Sequence, residues 1–136
     1  MQARRGGSVD ALGGGGLVAW SGSERIGLLC WQLGPEHSAE ITCLAVDSKA
    51  RRRGVGRLLL DEAAVHLREL AVDHVWLVTT NENLAALALY QKAGYRLSAL
   101  RPGAIDEIRR TIKPSIREVA SNGIPIRDEL ELSREL

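Results

Sequence analysis

With 136 residues, 45% hydrophobic and 26% charged, the chain has the profile of one soluble globular domain and is too short for a second full one. Eighteen Lys and Arg against 17 Asp and Glu leave a formal net charge of +1, so the overall balance points to neither a nucleic-acid partner nor a membrane surface, and any basic site has to be local. The uncharged runs fall well short of the roughly 18 residues a membrane-spanning helix needs.

In chain order, residues 1–16 carry Gly6, Gly7 and Gly13 to Gly16, which hold much backbone entropy and bury little, so they read as a short, flexible, poorly ordered arm. A single domain is expected over 17–136. It opens with apolar runs Leu17 to Trp20 and Ile26 to Leu33, split by the polar cluster Ser21 to Arg25, the pattern of a β-hairpin. A third strand is predicted at Ala39 to Val46. Cys30 and Cys43 lie inside these runs without metal-type spacing, which predicts buried thiols of a reducing compartment, the cytoplasm, and no metal site.

Between Val55 and Leu70 the positions Val55, Leu59, Ala63, Leu67 and Leu70 recur at helical spacing, with Asp61, Glu62, Arg68 and Glu69 expected outward. His74 to Thr80 is a short β-branched apolar run, as expected of a strand covered on both faces. Strand, helix and strand make a right-handed βαβ unit with parallel strands. A second helix is predicted from Asn83 to Ala93, capped by Asn81 or Asn83 and ended by Gly94. Tyr95 to Leu100 follows as a strand, Ala104 to Ile112 as a helix stopped by Pro114, and Ile124 to Leu132 as a last strand. The fold class is α/β with a mixed sheet.

The chemistry concentrates at Arg51-Arg52-Arg53-Gly54-Val55-Gly56-Arg57, where the third strand enters the first helix. Glycines there let the chain turn tightly and let a ligand meet bare backbone. The first helical turn adds unpaired N–H groups and the positive end of the helix dipole. The guanidinium groups suit a polyanion with several phosphates. A P-loop needs Lys followed by Ser or Thr after its last glycine, and Arg57-Leu58 stands here. A dinucleotide fingerprint needs a small residue where Leu59 stands.

What remains is Arg-x-x-Gly-x-Gly opening a helix after a strand. A second pattern, Asn-x-x-Ala-x-x-x-Tyr-x-x-x-Gly-Tyr, falls on Asn83, Ala86, Tyr90, Gly94 and Tyr95. Together they resemble the GNAT superfamily of acyl-CoA-dependent N-acetyltransferases, over about Leu17 to Leu100. The resemblance implies a GNAT-like mixed central sheet with a βαβ acyl-CoA-binding unit, and transfer of acetyl from acetyl-CoA to a primary amine of a small molecule or protein. It implies that backbone near Leu44, Ala45 and Val46 bonds the pantetheine arm. It also implies that the loop from Arg51 to Arg57 (Arg51, Arg52, Arg53, Gly54, Val55, Gly56, Arg57) binds the pyrophosphate, that Asn83 serves the pantetheine or the helix start, and that Tyr90 protonates the departing sulfur. Glu40, four residues before Leu44, matches the base of some protein-acetylating relatives. A core aromatic is the plain alternative for Tyr90, a solvated carboxylate for Glu40, and an exposed basic face for Arg109, Arg110 and Lys113. A non-catalytic acyl-CoA-binding module and a nucleotide-binding protein are the competing functions.

Family members usually begin with a strand and two helices, of which only the glycine-rich arm stands ahead of Leu17. A bare edge at Leu17 to Trp20 invites aggregation, so a homodimer is expected to cover it.

Overall fold

Alternating apolar residues fix which face of a strand is buried, and in the computed structural model, which describes residues 2–4, 7–12 and 15–136, the strands that begin at Ser38 and His74 open with that alternation, while Gly16 to Ala19 are buried without a break. The chain divides into two compact units, Met1–Trp76 with Glu135–Leu136, and Leu77–Arg134.

The first unit contains β1 (Gln2–Arg4), β2 (Gly7–Leu12), β3 (Gly16–Ser21), β4 (Glu24–Leu33), β5 (Ser38–Val46), a 3-10 turn at Ser48–Ala50, α1 (Val55–Glu69) and the first residues of β6 (His74–Thr80). Its strands pair in the order β1-β2-β3-β4-β5-β6, antiparallel up to β5, while β5 and β6 are parallel, as the βαβ reading requires. Leu17, Leu29, Leu59, Leu60, Leu67 and Val75 are fully buried and form its core. Each such leucine contributes about 2 kcal/mol. A Cβ on Gly27 would stand 3.0 Å from both Leu59 Cδ1 and Val55 Cγ1, so only glycine lets α1 lie this close to β4.

Several expectations change here. The arm expected to be loose holds strands β1 and β2, with β2 paired along the whole of β3 from Gly7↔Ser21 to Leu12↔Gly16. Met1, Arg5, Gly6, Gly13 and Gly14 lie outside the described residues. The edge of β3 is therefore covered by the same chain, which removes the ground on which a homodimer was expected. No helix precedes β3 among the described residues. On α1, Glu62 was expected outward and is 2% exposed, because three residues after Leu59 it falls within the inward arc. Leu70, expected inward, is 51% exposed, since the helix ends at Glu69 and the residue stands at the rim of a groove.

The second unit contains the remainder of β6, α2 (Leu84–Lys92), β7 (Arg96–Arg101), α3 (Ala104–Thr111) and β8 (Glu129–Glu135), in the strand order β6-β8-β7. β7 and β8 are antiparallel. Leu77, Ala93, Tyr95, Ile105 and Leu132 are its buried apolar residues. β8 starts later than the alternation of Ile124 to Leu132 predicts, because the backbone of 124–128 is used elsewhere. Ile126 N–H donates to Glu118 O at 2.9 Å, and Pro125 O accepts from the Asn81 amide at 2.8 Å.

The segment from Ile112 to Asp128 has no long helix or strand, so side chains satisfy its backbone. Asn81 does most: besides Pro125 O, its Oδ1 accepts from Arg127 N–H and Asp128 N–H, each at 2.9 Å. Arg109, 14% exposed, donates to the carbonyls of Ile116, Arg117 and Ile126 and pairs with Asp106 at 2.9 Å. Its guanidinium is a clasp for this segment, not a free charge.

Asn81→Ala leaves those partners unsatisfied and is expected to lower stability by about 1–3 kcal/mol. Trypsin should then cut faster at Arg117, and an unchanged cleavage rate and urea midpoint would count against the clasp. Tyr95 supplies a second expectation. Burial, reinforced by Tyr90 and opposed by Arg134, pushes its phenol up to about 12. In the unfolded chain it ionises near 10, so this contribution is fully present below pH about 10 and is lost as pH rises to about 12. The decline should amount to about 3 kcal/mol across that window. Unfolding midpoints measured across it should fall less steeply for Tyr95→Phe than for the wild type, and equal slopes would exclude Tyr95 as the titrating group.

Candidate functional site

In the first unit the site begins with a strand that runs out of partners. β5 pairs with β4 from Ala39 to Val46, but with β6 only at Ser38↔His74, Ala39↔Val75 and Glu40↔Trp76. Glu40 thus stands at the last parallel pair, and the ladder from Ile41 to Val46, including Leu44, Ala45 and Val46, is paired on the β4 side alone. The ladder is also irregular. Cys30 opposes Cys43 and Trp31 opposes Ile41, which leaves Thr42 as an extra residue in a bulge. Bulges re-aim backbone groups, and Thr42 is a position that hydropathy patterning gives no means of finding.

β5 leads through Asp47, whose carboxylate accepts from Lys49 N–H at 2.9 Å, into the arginine-rich turn. Arg52 and Gly54 have φ of +66° and +78°, and Gly54 occupies the position just before α1. Glycine takes that left-handed geometry without the roughly 1–2 kcal/mol that a Cβ costs. Leu58 N–H is the first to bond within the helix, to Gly54 O at 2.9 Å, so the N–H groups of Val55, Gly56 and Arg57 are those a first turn leaves unpaired. Arg51, Arg52 and Arg53 are exposed and form no ion pair among the described residues. Arg57 differs: its Nε pairs with Asp61 Oδ1 at 3.0 Å. Unpaired donors and free positive charge in one turn fit the oxygens of a diphosphate.

The second unit carries Asn83 and Tyr90 on α2. Asn83 caps the helix, its Oδ1 accepting from Ala86 N–H at 3.2 Å, so of its two expected duties the helix start is the one filled. Tyr90 is half-buried, with its ring 6.3 Å from that of Tyr95 and inclined by 58°. The Tyr95 N–H donates to Tyr90 O at 2.9 Å, which ties the helix end to β7. Other candidates resolve into structure: Arg110 pairs with Glu107, and His74 Nδ1 lies 2.5 Å from Glu135 Oε1. No group of three or more His, Cys, Asp or Glu suited to a metal occurs among the described residues.

Comparison with known proteins agrees with this geometry. The acetyltransferase (GNAT) family matches residues 6–95. The uncharacterized protein YxbD of Bacillus subtilis is 40% identical over 129 residues, 95% of this chain and 78% of that protein. The N-alpha-acetyltransferase RimI of Mycobacterium tuberculosis is 36% identical over 93 residues, 68% of this chain and 54% of that protein. Among solved structures, a Bacillus subtilis acetyltransferase in complex with CoA superposes with a TM-score of 0.79 at 26% identity, covering 89% of this chain and 76% of that one. Two motifs in sequence order, a βαβ unit whose parallel pairing stops after three residues, and relatives of this similarity lead to one statement: the chain belongs to the acetyltransferase (GNAT) family and is an N-acetyltransferase.

Proposed function

We propose that the chain transfers acetyl from acetyl-CoA to a primary amine through a ternary complex, with the diphosphate of the co-substrate held by Arg51 to Arg57. The observation that carries this is the first turn of α1, where Val55, Gly56 and Arg57 present N–H groups that the helix leaves unpaired behind a left-handed Gly54, beside three guanidinium groups that form no ion pair among the described residues. The backbone of Leu44, Ala45 and Val46, unpaired on one side, is suited to bond the pantetheine amides as a strand would.

The amine has to lose a proton before it attacks. An alkyl ammonium with a pKa near 10.4 is neutral in only about one part in 2,500 at pH 7. Glu40 is the base in this reading. Its place at the last β5–β6 pair sets a carboxylate where the ladder opens. The neutral nitrogen attacks the thioester carbonyl, the C–N bond forms and the C–S bond breaks. Tyr90 gives its phenolic proton to the leaving thiolate, and solvent restores it. A thiol of pKa near 8.5 leaves well enough for a phenol near 10 to complete the transfer late.

The acceptor is an amine of a small molecule or of a protein, and the relative named N-alpha-acetyltransferase makes a protein α-amine a natural member of any test panel. Two free cysteines are the ground for a reducing, cytoplasmic setting. Light scattering decides the homodimer, since a single chain has a mass of 14.8 kDa.

Release of free CoA thiol from acetyl-CoA across a panel of amines tests the reaction. No release with any amine, while CoA still binds, would reduce the protein to a binding module. At one hundred times its Kd CoA should add about 2.7 kcal/mol of stability, and it should raise the unfolding midpoint more than ATP at the same concentration. Equal shifts from the two ligands would overturn the loop assignment. Tyr90→Phe is expected to lower kcat by about 10²-fold or more with KM for acetyl-CoA little changed. Glu40→Gln should lower activity most near neutral pH and recover as rising pH neutralises the amine. Replacing Arg51, Arg52 and Arg53 together by Ala should raise KM for acetyl-CoA and weaken its dependence on salt.

A further inference from the structure

Cys30 and Cys43 are directly opposed across the antiparallel β4–β5 pair. Facing residues of such a pair have Cα atoms about 4.5 or 5.5 Å apart. Both values lie inside the range of about 4.4–6.8 Å that a disulfide spans without moving the backbone. The two side chains share one face of the sheet. Gly27, Leu29 and Trp31 turn toward α1, as the contacts of Gly27 with Leu59 and Val55 and of Trp31 with His66 require, so Cys30 turns the other way and its partner with it. Both thiols are half-buried and free.

We infer that Cys30 and Cys43 form a redox-active dithiol that closes to an intramolecular disulfide and thereby lowers acetyl transfer reversibly. The position gives the bond its leverage. Cys43 adjoins Thr42, the extra residue of the bulge, on the strand whose other edge is unpaired beyond Glu40. A covalent bond between β4 and β5 here fixes the local twist of a backbone that the proposed reaction needs to keep adjustable. A displacement of about 1 Å at a reacting centre costs as much as 10²-fold in rate.

The chemistry balances with hydrogen peroxide as oxidant. Cys43, on the strand whose other edge is open, is taken as the sulfur that attacks first. Its thiolate takes one peroxide oxygen to become a sulfenic acid, and the other oxygen leaves as water. The Cys30 sulfur then displaces the sulfenic oxygen as a second water, and the S–S bond forms. Two thiols have been oxidised and one peroxide reduced. A dithiol reductant reverses the step through a mixed disulfide.

The inference about rate rests on the acetyltransferase reading, whereas the bond itself is read independently of turnover. Hydrogen peroxide at low molar excess should remove about 2 Da from the intact full chain, abolish both titratable thiols and join the peptides that carry Cys30 and Cys43. Dithiothreitol should restore mass and thiols. The same treatment should lower acetyl transfer by about tenfold or more, recoverable with dithiothreitol. Cys30→Ser should keep the untreated rate, lose no mass as a disulfide and resist the inhibition. A gain of oxygen atoms without a disulfide, or a disulfide only between chains, overturns the proposal. So does a disulfide that leaves the rate of an active enzyme unchanged. If the reduced protein acetylates no amine, the functional reading fails, and the mass and peptide measurements still decide the dithiol.

Discussion

Backbone groups that the fold itself leaves unpaired are the resource on which this protein depends. An N–H or C=O group removed from water without a partner costs about 1–3 kcal/mol, so folded chains pair nearly all of them. Here two sets are left open side by side in the sequence. Beyond Glu40 the strand β5 is paired on the β4 side alone, and beyond Gly54 the first turn of α1 holds three donors without acceptors. One short connection, Asp47 to Gly54, joins them. On the function proposed above, both sets serve one ligand with an extended amide-bearing arm and a diphosphate, the chemical form of an acyl-CoA.

Elsewhere the same accounting is closed by side chains. The segment 112–128 makes little regular structure, yet its carbonyls and N–H groups are met by Arg109, Asn81 and Asn122, the last accepting from Ile124 N–H at 3.1 Å while its own amide donates to Glu82 O at 3.0 Å. Asn81 and Glu82 lie in the turn that ends at Asn83, the cap of α2. The segment is thereby tied to the residues from which Tyr90's helix starts. Its contribution to function runs through this geometry: what holds the turn also holds the axis of α2.

Much of this was legible in the sequence wherever one period dominates. His74–Thr80 is a strand over the limits its β-branched run predicts, and α1 and α2 end within a residue or two of their predicted bounds. The motifs could be read because Gly54, Asn83 and Tyr90 occupy fixed offsets from helix starts. What escaped is set by contacts distant in sequence. Residues 7–12 are glycine-bearing and read as loose, but they pair because β3 offers an edge. The alternation at Ile124 to Ile126 imitates a strand, while its backbone is claimed by Asn81, Arg109 and Glu118. Thr42 has no hydropathy signature as a bulge, since its extra place is visible only against the residues of β4. Glu62 is a different case: its spacing from Leu59 already placed it inward, and its charge argued it outward.

The arginine turn shows why such a site stays poised. Arg52 holds a left-handed φ of +66°, at a cost of roughly 1–2 kcal/mol for a residue with a Cβ, and it does so between two other arginines. The acidic residues on either side of it are engaged: Asp47 accepts from the backbone of Lys49, and Asp61 pairs with Arg57. With a net charge of only +1 over the whole chain, the charge at this turn is a local concentration and not a reflection of composition. A turn that is strained and self-repelling by itself gains more from an arriving polyanion than a neutral, relaxed loop gains, because binding removes the repulsion as well as filling the open donors. On the function proposed above, this arrangement favours multiply charged ligands, since a monoanion that satisfies the N–H groups but neutralises one guanidinium recovers only part of that gain.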